Sequence, residues 1–187
     1  MAKVCDCFPE LKEITEARER RYRTHPEKEA PEGPQSFVEV KVTSIGQLNE
    51  LVACKKSGYK FLISEPAHVG GQNCGPTPLE FLLSGAVGCY AAVFAFYAAK
   101  LGVAYDTFEA VARTEFDARG HMIADAPASA FRRVMISVQV MSDAPTEKLK
   151  EVERLALAGC PGISTLRAPV PVETVLEVRR TRAEKAA

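Results

Sequence analysis

From Phe81 to Ala99 the chain carries no charged side chain, and this stretch constrains the fold more than any other. A run of that length is near the minimum for crossing a bilayer. Six of its residues are Ala, two are Gly and one is Ser, all weak drivers of membrane insertion. The rest of the chain is soluble and amphipathic in pattern. A helix that is apolar on every side is also what a helix enclosed by other elements looks like. The expectation is therefore a long buried central helix and no membrane span. Its start is well marked: Thr77 suits the N-cap, Pro78 the first helical position, and Glu80 completes a capping box with Thr77.

The same helix carries a seam of small side chains. Gly85, Gly88, Ala92, Ala95 and Ala99 recur at spacings of three and four, so another backbone can approach closely along one face. The partner is either a second helix of the chain or the same helix of another subunit; a helix that is simply rich in Ala is the alternative.

Around this helix the pattern is mixed. Residues 9 to 23 read as a short, highly charged helix with Leu11, Ile14 and Ala17 on one side. His25 to Ser36 contains Pro26, Pro31, Gly33 and Pro34 and reads as a linker or draped arm, so the compact domain is expected over 36–187. Val38, Val40 and Val42 alternate with polar residues as in a half-buried strand. Leu51 to Cys54 and Tyr59 to Ser64 add two more, forming an antiparallel meander. Further strands fall near 106–116 and 131–140, with Val134, Ile136, Val138 and Val140 on one face. A second helix follows Pro145, with Leu149, Val152, Ala156 and Cys160 on its apolar side and Pro161-Gly162 as its stop. Val170 to Val178 reads as a last strand. The class is α+β with largely antiparallel sheets.

Charge and cysteine usage narrow the function. The sequence has 187 residues, enough for a proper core, with Lys plus Arg at 24 and Asp plus Glu at 24. A net charge of zero implies no nucleic-acid surface. Met1-Ala2-Lys3-Val4-Cys5-Asp6 has no signal-peptide character, so a cytoplasmic location with reduced thiols is expected. Two of the six cysteines occupy helix positions: Cys89 in the long helix and Cys160 at the end of the second. In that setting they suggest redox chemistry more than a structural framework. Cys5-Asp6-Cys7 lacks adjacent ligands, so no metal is expected. Cys54 reads as strand packing, and Cys74 stands just before the helix start, where N–H groups can lower a thiol pKa. His25, His68 and His121 read as solvent-exposed. The run Arg18 to Arg23 reads as a solvated helix face, or as a cation supply if it folds over the cysteines. Phe81, Tyr90, Phe94, Phe96 and Tyr97 read as core, or as the lining of a pocket.

Gly70-Gly71-Gln72-Asn73-Cys74-Gly75-Pro76-Thr77-Pro78-Leu79-Glu80-Phe81-Leu82-Leu83, followed by Gly88-Cys89, resembles the central helix of the OsmC/Ohr family. Ser142-Asp143-Ala144-Pro145, Cys160-Pro161 and Pro169-Val170-Pro171-Val172 are similar to that family's C-terminal half. The resemblance runs over roughly 36 to 180. It implies an intertwined homodimer with antiparallel sheets packed on the central helix. It also implies a thiol peroxidase cycle that needs no bound cofactor. Cys89 attacks an organic hydroperoxide and becomes a sulfenic acid, Cys160 condenses with it to a disulfide, and an external dithiol reduces the pair. The alternative is a non-enzymatic dimer that binds a small apolar ligand in the same place.

A free thiol with pKa ~8.5 is only a few per cent thiolate at pH 7. Bringing it to ~6.5 takes roughly 2.7 kcal/mol. Cys89 lies about three turns from its helix N-terminus, too far for the dipole to help, whereas Cys160 at a helix C-terminus is opposed by it. Cys89 therefore needs a cation. The sequence departs from the Ohr pattern here, because no Arg occurs between Arg23 and Arg113 and the position of the family's Glu aligns with Leu79. Glu80, one residue on, is either the capping partner of Thr77 or a catalytic carboxylate.

Overall fold

In the computed structural model, which describes residues 4–24 and 37–178, two small antiparallel sheets and four helices alternate along the chain. The order is α1 (Phe8–Thr24), β1 (Val40–Gly46), β2 (Asn49–Cys54), β3 (Lys60–Ser64), α2 (Pro78–Leu101), β4 (Thr107–Phe116), β5 (Phe131–Met141), α3 (Thr146–Gly159) and α4 (Pro161–Arg167). The expected linker and His25 lie outside the described residues.

Helix α2 starts where its sequence says it should. The Thr77 hydroxyl accepts from the Glu80 N–H at 3.3 Å, and the Glu80 carboxylate accepts from the Thr77 N–H at 2.8 Å. At the other end Gly102 takes a left-handed φ of 64° and donates to the Ala98 and Ala99 carbonyls, a conformation that costs Gly least. Ala86, Tyr90, Phe94 and Ala98, one ridge at spacing four, are buried against the rest of the chain. Val152, Ala156 and Cys160 of the second helix and its end meet this ridge, all with no exposed surface. Phe94 packs in a ring cluster with Tyr90, Tyr105 and Phe108 at centroid separations of 5.0 to 6.3 Å. That spacing suits edge and tilted aromatic contacts.

Sheet β4–β5 lies over the same core through Phe108, Ile136, Val138 and Val140. A two-stranded ribbon is marginal by itself, and this packing is what supports it. The meander β1–β2–β3 is antiparallel as expected. It meets the start of α2 where Phe61 stacks on Phe81 at 4.5 Å.

Three expectations are corrected. Helix α1 seats itself only in part through the expected residues, and Ala17 is exposed. Phe8 is buried against Tyr105, Leu11 packs on the core, and Ile14 is 49% exposed. Anchoring at Phe8 rotates the helix so that positions 8, 11, 15, 19 and 22 follow the surface of α2. Strand β1 is not half-buried, since Val40 and Val42 are both more than half exposed in the single chain. Val170 to Val178 forms no strand: it has no ladder, and Val172, Val175 and Leu176 are almost fully exposed. A strand exists through pairing, and this chain pairs the segment with neither of its own sheets.

Candidate functional site

Cys89 and Cys160 meet. Cys89 projects half-buried from the middle of α2, and Cys160 sits fully buried between α3 and α4. The turn that carries Cys160 lies directly on α2. A Cβ added at Gly162 would stand 3.0 Å from the Ala86 Cα and 3.2 Å from the Cys89 Cβ. One added at Gly159 would stand 3.0 Å from the Tyr97 hydroxyl oxygen. The glycines that flank Cys160-Pro161 therefore allow the turn to approach its helix this closely. Gly162→Ala is expected to push the turn outward, costing ~1–3 kcal/mol in stability and slowing any bond between the thiols. Chemical denaturation and the rate of thiol oxidation measure the two effects.

The two sulfurs differ in environment. Burial is the main influence pushing the Cys160 thiol up, and its interaction with the Cys89 thiol pushes it further. The Ile163 N–H, which donates to the Cys160 sulfur at 3.5 Å, works in the opposite direction. Pro161 is thus not only a stop: it is the first residue of α4, and Cys160 caps that helix. The C-terminus of α3, expected to disfavour a Cys160 thiolate, is only half of the sulfur's setting. Two helix ends of opposite sense flank the sulfur, and loss of solvent is what keeps it protonated. Tyr90, fully buried nearby, has its phenol pushed up to about 12, first by burial and then by Glu153 and Cys160.

On its less buried side Cys89 opens to a cavity of about 790 Å³. Ala92, Val93, Phe96 and Tyr97 of α2 and Pro161 form its apolar part. Helix α1 roofs it: Ile14, Arg18 and Tyr22, with Thr15, Glu19 and Arg23 one residue on, repeat at every helical turn and face the opening. The roof is held by an ion pair between helices, from Lys100 to Glu19 at 2.5 Å. The Lys100 hydrogen bond is also the main cause that lowers the pKa of Glu19. Arg23 binds the same carboxylate at 2.8 and 2.9 Å, and Arg18 donates to the Tyr22 hydroxyl at 3.2 Å.

So the solvated-face reading of Arg18 to Arg23 applies to only part of that run, because Arg18 and Arg23 line the cavity that contains Cys89. Lys100 and Glu19 were missed. A signal existed for Lys100, which follows Cys89, Val93 and Phe96 at spacings of four, three and four and so shares the cysteine's face. Phe96 and Tyr97 line the cavity, whereas Tyr90 and Phe94 are core and Phe81 stacks on the meander. The structure does not bring Glu80 to this site. Its carboxylate is engaged by Thr77, whose N–H bond is the main cause lowering its pKa, and it lies nine residues from Cys89, on the far side of the helix. Cys74 donates to the Asn49 side-chain oxygen at 3.2 Å, outside the cavity lining. Cys54 is half-buried in β2, and His68 and His121 are exposed. Among the described residues no cluster has the composition of a metal site.

A model of the OsmC-like protein family matches residues 70–175, more than half of the chain. The chain belongs to the OsmC-like family. No curated protein matches the sequence. Among solved structures it is similar to an OsmC-like protein from Mycoplasma pneumoniae, with TM-score 0.60 and 15% identity over 71% of this chain and 89% of that one. An OsmC-like protein of unknown function from Vibrio cholerae gives TM-score 0.59 and 17% identity, covering 70% and 94%. An organic hydroperoxide resistance protein OsmC from Legionella pneumophila gives 0.53 and 14%, covering 71% and 90%. At these identities the likeness establishes a shared fold. Helix α1 lies outside the segment that the family model matches.

Proposed function

We propose that this OsmC-like protein is a thiol peroxidase that reduces organic hydroperoxides through a disulfide between Cys89 and Cys160. One observation carries the reading: two thiols in contact, one open to a cavity and the other sealed. The Cys89 thiolate attacks the distal peroxide oxygen, the O–O bond breaks, and the departing alkoxide takes a proton to become an alcohol. Cys89 is left as a sulfenic acid, oxidised by two electrons. The Cys160 sulfur then displaces the hydroxyl, releasing water as the disulfide forms, and an external dithiol returns both thiols. Burial suits Cys160 to this order of events, because a sealed, protonated thiol waits for the sulfenic acid and does not compete for peroxide.

The active unit in this proposal is a homodimer. The single chain leaves β1 exposed on both faces, Val172 and Val175 without cover, and Leu82 half exposed on α2. Exposed apolar surface on this scale is a mark of a missing partner.

The reduced protein, incubated with a dithiol, is expected to consume tert-butyl hydroperoxide faster than hydrogen peroxide. After one equivalent of peroxide, peptide mapping should recover a link between Cys89 and Cys160. A linkage through Cys74 or Cys54 would sink the proposal. A parent protein that consumes no peroxide yet retains small apolar molecules in the cavity would instead be the non-enzymatic binder.

A further inference from the structure

We infer that Tyr90 is the residue that lets Cys160 react: its hydroxyl donates a hydrogen bond to the Cys160 sulfur as that sulfur takes on negative charge. As a step of the peroxidase cycle this role rests on the reading above; as an effect of one side chain on one thiol it does not.

A sealed thiol poses a difficulty of its own. Cys160 has no exposed surface and burial pushes its thiol up, yet the thiolate is the form that attacks sulfur. A neighbour must stabilise that charge where water does not reach. Helix α4 contributes the Ile163 N–H, 3.5 Å from the sulfur. Helix α2 offers Tyr90, placed by the two close approaches of the turn. A Cβ added at Gly162 would meet Ala86, and one added at Gly159 would meet Tyr97. Cys160 lies between these glycines in the chain, and so settles over the stretch of α2 between Ala86 and Tyr97. Tyr90 faces the core from that stretch, its ring held against Phe94 and Phe108 at centroid separations of 6.3 and 6.0 Å.

Tyr90 is 1% exposed, and its hydroxyl oxygen has no hydrogen-bond partner among the described residues. A buried hydroxyl without a partner is a cost to the folded protein, and native structures seldom keep one. The neighbouring sulfur accounts for it. A thiol is a weak acceptor, so the protonated Cys160 leaves the hydroxyl idle, whereas a thiolate is a strong, charged acceptor. Tyr90 is also a durable donor: burial first, then Glu153 and Cys160, push its phenol up to about 12, so it keeps its proton through the neutral range. The other titratable groups beside the pair are Cys89 on α2, which pushes Cys160 up, and Glu153 on α3, which pushes Tyr90 up. Neither supplies positive charge. In the resolving step the Cys160 sulfur loses its proton, bonds to the Cys89 sulfur and breaks the S–O bond of the sulfenic acid. The hydroxide departs as water with that proton, and Tyr90 keeps its own.

The test needs no peroxide. Reduced full-length protein is given one equivalent of dipyridyl disulfide, quenched in acid at intervals and mapped by mass spectrometry. Cys89 displaces one pyridinethione and carries the other half as a mixed disulfide; Cys160 then displaces that half as the Cys89–Cys160 link closes. Tyr90→Phe should leave the first step unchanged and slow the second about tenfold, the effect of one charge-assisted hydrogen bond. The pH profile of the second step should move upward by about one pH unit with it. The variant should melt no lower than the parent, because phenylalanine leaves no unpaired hydroxyl. Equal slowing of both steps or an unshifted profile would overturn the inference, and so would a clear loss of melting temperature, which would mean that the hydroxyl already has a partner. The same mapping is then run with cumene hydroperoxide as the oxidant. If peroxide leaves Cys89 untouched while the exchange depends on Tyr90, the peroxidase reading fails alone. If both oxidants give the link at rates that Tyr90→Phe leaves unchanged, the role of Tyr90 fails alone. A link formed with neither oxidant would sink both.

Discussion

Cys89→Ser is expected to lower hydroperoxide consumption by roughly 10³-fold or more, because removing a nucleophile leaves only background reaction. Cys160→Ser should behave differently. It is expected to destroy one equivalent of peroxide per subunit at nearly the parent rate and then stop, held as a sulfenic acid. The asymmetry has a structural cause. Cys89 faces a cavity with Arg18, Arg23 and Lys100 in its walls, whereas Cys160 has no exposed surface and a thiol pushed up by burial. A single-turnover measurement with a dimedone-type trap separates the two variants. Equal loss of the first turnover in both would make Cys160 part of the attacking machinery and refute the assignment of roles. Serine is nearly isosteric with cysteine, so neither variant should disturb the packing of Ala86 or Val152 around the pair.

Gly88→Leu is the second large effect. In the single chain a Cβ at Gly88 meets nothing within 4 Å, and the same holds at Gly85. At the Cβ, therefore, a side chain there meets no obstacle in an isolated chain. If the seam of small residues seats against another copy, the same leucine is driven into a close backbone contact, an overpacking penalty of ~1–3 kcal/mol per site. Both subunits of a symmetric dimer carry the change, so the penalty is incurred twice. The expected result is a dimer in the parent and a dissociated, less stable chain in the variant, measured by sedimentation at micromolar concentration and by thermal unfolding. An unchanged sedimentation profile and melting temperature would remove the seam from any interface.

The local elements were legible because their causes are local. Thr77, Pro78 and Glu80 specify a helix start through bonds spanning three residues, and the structure forms those bonds. The alternation in β5 and the three-and-four spacing of Val152, Ala156 and Cys160 likewise express the geometry of one element. That Cys160 points inward also followed from spacing, whereas Cys89 was placed only on a helix apolar on every side. Their contact did not, because it depends on Gly159 and Gly162 allowing a turn to settle on α2, and the space beneath a turn is not written in its own sequence.

Tertiary structure alone decided what covers the site. Helix α1 shows five basic and four acidic residues to a reader of the sequence, and its charges pair equally well on a solvated surface. Phe8, locked against Tyr105, sets its rotation, and that contact aims Arg18 and Glu19 at a cavity floored by residues far along the chain. The strand expected at Val170 to Val178 shows the reverse case. Its valine-rich sequence gives it a capacity to pair, but a ladder needs a strand edge alongside, and among the described residues the segment pairs with none of the edges its own sheets leave open. Sequence determined which segments become helix or strand, since those preferences arise within a few residues. Which thiol is sealed, which cations surround the other, and which strand goes unpaired were decided by contacts between elements distant in the chain.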